Sequence, residues 1–332
     1  MIANLADEIV ENLSNNEELK SLFINDDKYY CHKTLYIDNL NSYIKIVNEI
    51  GKMQRTEEVF LDRTVCYRGM ENSKWKLEPS IIVNHLSEYE QSMYLEFECL
   101  HPYEFNNIKN AVDKIAKMQH FSLPTRLLDF SMNPLVALFF ACNITDSASI
   151  NENARVVIHI AENRGKENAN NICKYALYST KYITDYEEYF HKVYKLYRDF
   201  SVIQPMYMTQ REIKQQSIFL AFPSKLRKGI VKEFYLDGIR RIDKIFMASN
   251  FISIIIDAKS KKDILHNLDN IGINKMSLFP ELEYTGMYLK NKYKERVQVS
   301  IDKYDELIDY YAKLGVLNAV NEYKELKERL IQ

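Results

Sequence analysis

Glycine and proline are scarce in this chain, with Gly 8 and Pro 7 among 332 residues. That is well under half of the ~12 % usual for the two together. So few chain breakers leave little room for the tight turns of a barrel or sandwich, and predict long helices instead. The five cysteines, Cys31, Cys66, Cys99, Cys142 and Cys173, form no CxxC pair. Neither a zinc site nor a disulfide framework is expected, and a reducing cytoplasm is the expected compartment. The longest apolar runs, LVALFFAC and FISIII, fall far short of the roughly 20 residues of a membrane span, so no membrane partner is expected. The opening segment carries Asp7, Glu8 and Glu11 and no apolar core, unlike a signal peptide. An excess of one charge sign is missing too: Lys+Arg 44 against Asp+Glu 46, formal net charge -2. Bulk charge therefore does not hold this protein to nucleic acid, although a local basic groove would not show in the total. No Gly-rich dinucleotide fingerprint or P-loop occurs, which excludes dehydrogenases and ATPases of those classes, and no HExxH or paired His/Cys spacing requires a metal.

What is present is an ordinary globular composition, 46 % hydrophobic and 27 % charged, which excludes wholesale disorder. Helical spacing runs through Leu5, Ile9, Leu13, Leu19 and Phe23, and again over Asn39–Met53 with Tyr43, Ile46, Val47 and Ile50 on one stripe. The period changes over Val59–Tyr67, where TVCY reads as a buried strand. Helices are expected over Glu88–Phe105 and Ile108–Gln119. Another is expected over Pro134–Asn143, with Asn133 as its N-cap and an all-round apolar sequence that predicts central burial. Strands are expected at ARVVIHIAE (154–162), Ser217–Phe222 and Phe251–Asp257, and helices at Tyr186–Phe200 and Ser260–Ile271. A charged helix or helix pair broken near Gly315 closes the chain.

Three clusters put polar residues in apolar context. Tyr67-Arg68-Gly69 ends the TVCY strand, and an arginine beside a residue without a side chain can offer its fork to a phosphate or carboxylate. Between Gln119 and Pro134, the residues His120, Thr125, Arg126, Asp129, Ser131 and Asn133 stand among leucine, phenylalanine and proline. Buried unpaired, each would cost about 1–3 kcal/mol, so they need partners or a ligand; Arg126 and Asp129 could satisfy each other. The third cluster is Arg211-Glu212-Ile213-Lys214-Gln215-Gln216-Ser217, where two glutamines open a strand. His101, His159, His191 and His266 stand singly, Cys66 and Cys142 read as buried thiols, and Lys259, Lys261 and Lys262 read as a solvated face.

YRG on a strand, then HFSLPTRLLDFSMNPLVAL, then R-x-x-x-QQS-x-F and finally GINKMSLFPELEYTG, in that order over roughly residues 60–287, resemble the FRG domain family. The resemblance implies a relation to ADP-ribosyltransferase-like folds of bacterial toxin, toxin–antitoxin and anti-phage modules. The implied fold is α+β: a small split mixed sheet with helices, plus helical additions at both ends. The implied organisation is an N-terminal helical extension (1–55), the FRG domain (56–290) and a C-terminal helical tail (291–332). NAD is the implied substrate, with RNA, DNA or protein as acceptor, and an antitoxin or chaperone as further partner. On this chain Arg68, with Tyr67 and Gly69, would take the NAD phosphate or ribose. Thr125, Arg126, Asp129 and Ser131 would line the nicotinamide side, with His120 at the rim. Gln215 or Gln216 would stand where such enzymes carry a glutamate. Glutamine neither stabilises an oxocarbenium as a carboxylate does nor acts as a base. Either another acid serves, Asp129 first and Glu212 second, or the domain is a non-catalytic nucleotide- or nucleic-acid-sensing module of a defence system whose Arg68 and Arg126 hold phosphates. A structural interaction protein is the third reading.

Overall fold

The computed structural model describes residues 5–24, 34–60, 62–162, 165–178, 182–183, 200–207, 209–228, 234–242, 247 and 250–331. They divide into two compact units, Met1–Asn274 and Lys275–Gln332. The helix expected over Tyr186–Phe200 lies outside the described residues except for Phe200.

The first unit is α+β. Helices α1 (Leu5–Asn15) and α2 (Glu17–Lys20) come first, followed by β1 (Phe23–Ile24), β2 (Thr34–Ile37) and α3 (Leu40–Thr56). The spacing of Leu40, Tyr43, Ile46, Ile50 and Met53 gives α3 one fully buried face, while Val47 is only half-buried. Asn39 caps this helix by accepting from Ser42 N. Phe23, expected to continue the first helical segment, pairs in β1 instead, where it faces Leu35. The middle of the unit alternates: β3 (Arg63–Met70), helices α4 (Ser80–Val83), α5 (Glu90–Leu100), α6 (Pro102–Phe105) and α7 (Ala111–His120), then β4 (Leu127–Ser131) and α8 (Pro134–Cys142). It continues with β5 (Ala154–Glu162), α9 (Gly165–Tyr178), β6 (Tyr182–Ile183), β7 (Ser201–Ile203), α10 (Gln210–Gln215) and β8 (Ser217–Ala221). The last elements are β9 (Ser224–Lys228), β10 (Phe234–Ile239), β11 (Phe251–Ile256) and α11 (Lys261–Asn270).

Eight strands form one curled sheet in the order β1-β2-β11-β5-β3-β4-β8-β7, and β6-β10-β9 form a separate three-stranded sheet. This is a larger assembly than the small split sheet expected. All the pairings are antiparallel except β11 with β2. One seam is weak. Strand β3 pairs with β5 over eight residues and β4 pairs with β8 over five, whereas β3 meets β4 only at Tyr67↔Ser131. The sheet is continuous but nearly severed between β3 and β4.

Alternating side chains sort into two cores. Cys66, Met70, Leu128, Phe130, Ile218 and Leu220 pack with Ile81 and Ile82 of α4. Leu127, Phe219 and Ala221 pack with Val112, Ile115 and Ala116 of α7 and Ile172 and Leu177 of α9. Helix α8 is as apolar as expected: Val136, Ala137, Leu138, Phe139, Ala141 and Cys142 are all buried, and Asn133 Oδ1 caps it by accepting from Leu135 N at 3.0 Å. Each such large apolar side chain contributes roughly 1.5–3 kcal/mol when fully buried. Cys66 and Cys142 are free and buried, as expected of unreactive thiols, and burial pushes the Cys142 pKa up to about 12.

Lys261 corrects the reading of its charge run as a solvated face. It is 1 % exposed, and its ammonium donates to Glu71 O at 2.7 Å and Ser149 O at 3.0 Å. Helix α11 docks beside α8, so this lysine reaches backbone carbonyls of two separate segments, after β3 and after α8, and not water.

The second unit is helical: α12 (Lys275–Leu278), α13 (Leu282–Lys313) and α14 (Leu317–Ile331). The expected break falls at Gly315, whose φ of 75° only glycine adopts readily. Tyr311 stacks on Tyr323 at 5.6 Å, and Lys327 pairs with Asp305 at 2.6 Å, which makes α13 and α14 an antiparallel hairpin. Helix α13 begins at Leu282, ahead of the 290/291 boundary expected for the tail. Among the described residues no helix is long and apolar enough to cross a membrane.

Candidate functional site

The weak seam opens into a cavity of about 760 Å³ lined by Arg68, Gln119, Ser122, Leu128 and Asp129, with Trp75 and Lys76 from the loop after β3. Strand β3 does not end at Arg68, as its sequence suggests, but runs on to Met70. Arg68 therefore follows the Cys66 and Met70 side of its strand, while Asp129 follows the Leu127 and Ser131 side of β4. They meet because the two strands part beyond Tyr67↔Ser131. The Arg68 Nη1 donates across the gap to Asp129 O at 2.5 Å and lies 3.8 Å from Asp129 Oδ2. Its Nε is buried without a hydrogen-bond partner. Burial lowers the Arg68 pKa, opposed by the Asp129 charge.

Asp129 is the exposed residue of an otherwise buried strand, its side chain 63 % accessible. A three-member relay orients it. Leu127 N donates to Thr125 Oγ1 at 3.2 Å, the Thr125 hydroxyl donates to Gln119 Oε1, and Gln119 Nε2 donates to Asp129 Oδ1 at 2.6 Å. Thr125, fully buried, thus determines which way the Gln119 amide faces, and Gln119 holds one carboxylate oxygen. Thr125 is also tied at its own amide to Ser80 Oγ at 3.0 Å. Ser122, in the left-handed region at φ 68°, turns the chain out of α7 so that residues 122–124 form a wall of the cavity.

The remaining expected residues are placed elsewhere. Arg126 does not pair with Asp129. It is buried, with Nε donating to Glu90 Oε1 at 2.8 Å, Nη2 to Glu90 Oε2 at 2.5 Å, and Nη1 to Phe222 O and Ser224 Oγ. Burial disfavours the Arg126 charge, but the Glu90 carboxylate more than offsets this and raises its pKa. Every nitrogen of its fork is therefore committed to the protein. Tyr67 is buried and lines a second cavity with Met132 and Pro134, away from Arg68.

Gly69 has a packing reason. A Cβ there would stand 1.9 Å from Ala137 O and 2.6 Å from Ala141 N, so the glycine admits α8 against β3 and does not expose backbone to a ligand. Ser131 ties β4 to α10: its hydroxyl donates to Gln215 O at 2.6 Å and accepts from Asn133 N at 2.9 Å. His120 ends α7 half-buried, edge-on to Phe121 at 5.3 Å.

Gln215 and Gln216 do not open a strand. Gln215 ends α10, and Gln216 forms its C-cap in the left-handed region at φ 46°. Neither lines the cavity, and neither does His120. Glu212, the second candidate acid, is buried in a capping box. It accepts from Thr209 N at 2.9 Å and Thr209 Oγ1 at 3.0 Å, and its own amide donates to Thr209 Oγ1 at 3.2 Å.

Three cavity residues escape a motif reading. Gln119 is visible only once its relay partners are in space. Glu78, the other carboxylate of the lining, pairs with Arg241 at 3.0 Å. Trp75 is the one tryptophan of the chain, set in the polar stretch Asn72-Ser73-Lys74-Trp75-Lys76, and that composition was the available signal. Among the described residues no group of His, Cys, Asp and Glu is arranged to hold a metal ion.

An α+β protein with an arginine and a carboxylate meeting where its sheet parts is thus defined. Residues 63–149, from β3 through the turn after α8, match the FRG domain family, which places an FRG domain over the Arg68 and Asp129 motifs. The glutamine motif and the GINKMSLFPELEYTG motif lie beyond that match. Comparison with curated proteins and with solved structures finds no match.

Proposed function

We propose that this cleft binds NAD and that the protein transfers ADP-ribose from it to a nucleic-acid or protein acceptor, as a toxin of a bacterial anti-phage or toxin–antitoxin system. The observation that carries the reading is the convergence of Arg68 and Asp129 at the parted seam. The Arg68 guanidinium lines the cavity, where it can take a phosphate, beside a carboxylate held at one oxygen by Gln119. In this reading Arg68 anchors the pyrophosphate and Asp129 faces the ribose. The N-glycosidic bond breaks, and its electron pair leaves with nicotinamide, which departs neutral. The positive charge spreads over C1′ and the ring oxygen, where the Asp129 carboxylate opposes it. An acceptor O–H or N–H then bonds to C1′ and gives up its proton. Thr125 and Gln119 act as positioning residues, since they orient the carboxylate before any charge develops.

A second reading, nucleotide sensing without turnover, is favoured by one observation: Gln216 lies outside the cavity, so Asp129 has no assisting group from that motif. Incubating purified protein with NAD, with and without cellular RNA, DNA or protein, and reading free nicotinamide by chromatography separates the two. Release that depends on one acceptor pool and vanishes in Asp129→Asn supports transfer. A raised melting temperature with NAD and no nicotinamide under any condition supports sensing.

A further inference from the structure

We propose that Trp75 is a base-stacking platform for the cleft, and that the ligand it receives is a nucleotide whose phosphates run toward Arg68. The inference rests on the reading above for where the phosphates lie, but not for turnover. Its starting point is an indole that packing does not explain. Trp75 is 41 % exposed on a loop that is otherwise pinned. Ser73 N donates to Asn153 O at 2.7 Å, Lys74 N to Asn72 Oδ1 at 3.0 Å, and Trp75 N to Asn72 O at 3.2 Å. Arg155 Nη2 donates to Trp75 O at 2.6 Å. Ser73 and Leu77, on either side, are buried.

The loop backbone is fastened at these points, and its tryptophan leaves a large ring partly in water at the edge of a cavity. Among the described residues no aromatic ring or cation engages that indole.

The charges around it select the ligand. Lys74 is neutralised by Glu152 at 2.7 Å. Lys76, the residue after Trp75, is exposed, lines the cavity and has no ion-pair partner among the described residues. Arg68, on the same cavity, keeps its Nε unpaired. A planar face and cations lining the same cavity suit an aromatic base attached to phosphates. Stacking on an aromatic side chain contributes ~1–3 kcal/mol per base. The cavity, about 760 Å³, lies within the range of single small-ligand sites, roughly 300–1,000 Å³.

Because Trp75 is the single tryptophan, its emission reports on its own subsite. ADP added to the full-length protein should quench the emission saturably, whereas ribose 5-phosphate, which has no base, should not. By calorimetry Trp75→Ala should weaken ADP binding about tenfold, the low end of a stacking loss, and Trp75→Phe should recover most of it. Equal ADP affinity in Trp75→Ala and the unaltered protein overturns the proposal, as does an absence of ADP binding. Should ADP bind through Trp75 while NAD releases no nicotinamide, the stacking site stands and transfer falls. Turnover of NAD with an unchanged KM in Trp75→Ala has the opposite meaning.

Discussion

Arg68 and Arg126 enter the molecule from similar sequence contexts, each a cation in an apolar run, yet the fold treats them differently. Around Arg126 every valence is closed: a bidentate carboxylate, a backbone carbonyl and a hydroxyl surround a side chain 4 % exposed. Around Arg68 the shell stays open, with one donor on a backbone carbonyl and Nε on nothing. A saturated buried arginine holds a fold together, because removing either partner strands a charge. An undersaturated one at a cavity costs stability and is retained where something else completes it. Both lie in motifs within the family match, so motif membership alone does not separate a saturated arginine from an open one.

The sharpest test of this contrast is on the saturated side. Arg126→Ala leaves Glu90 buried and unpaired and should cost about 3–5 kcal/mol, read by denaturant unfolding. Replacing both partners by methionine should return most of that loss.

Acid should act next, again on the packed side. His159, stacked on Phe251 at 4.4 Å, has its pKa lowered by burial to about 4 from the ordinary 6.5. Above pH 6.5 the folded and unfolded chains are both neutral there. Between pH 6.5 and 4 only the unfolded chain takes the proton, so stability should fall by up to about 3 kcal/mol. A His159→Phe variant should show a shallower acid limb in unfolding measured against pH.

Third, Gly69→Ala places a methyl against the α8 backbone and should cost about 1–3 kcal/mol in overpacking, visible as a lower Tm. A Tm unchanged by this substitution would return Gly69 to the ligand side. The smallest stability effect belongs to the open site: Asp129→Asn, at an exposed position, should change stability by under ~0.5 kcal/mol. Under the transfer reading it should still lower nicotinamide release by roughly 10²-fold. A large loss of stability there would make Asp129 structural and erase the contrast with Arg126.

Long, strongly periodic elements are legible in the chain itself. The α8 run, the stripe of α3 and the strands β5, β8 and β11 appear where their patterns put them, because burial of a continuous apolar face is a local property of spacing. Strand β4 is not legible in this way, and it matters most. LLDFS is only five residues long, its two polar residues Asp129 and Ser131 make too short a pattern to advertise a strand, and both of its faces are covered save at Asp129. Without that strand, Arg126 and Asp129 look like neighbours fit to pair. With it, positions three apart fall on opposite faces, and each finds a partner far away in sequence, Glu90 for one and Arg68 for the other.

The sequence by itself therefore determined the class of fold and the central helix, and it marked the motifs whose Arg68 and Asp129 line the cavity, since those follow from local periodicity and residue chemistry. Which of the motif's polar groups would be saturated was decided only by tertiary structure. Saturation depends on strand faces, on the parting of β3 from β4 beyond a single residue pair, and on donors and acceptors that chain order keeps apart.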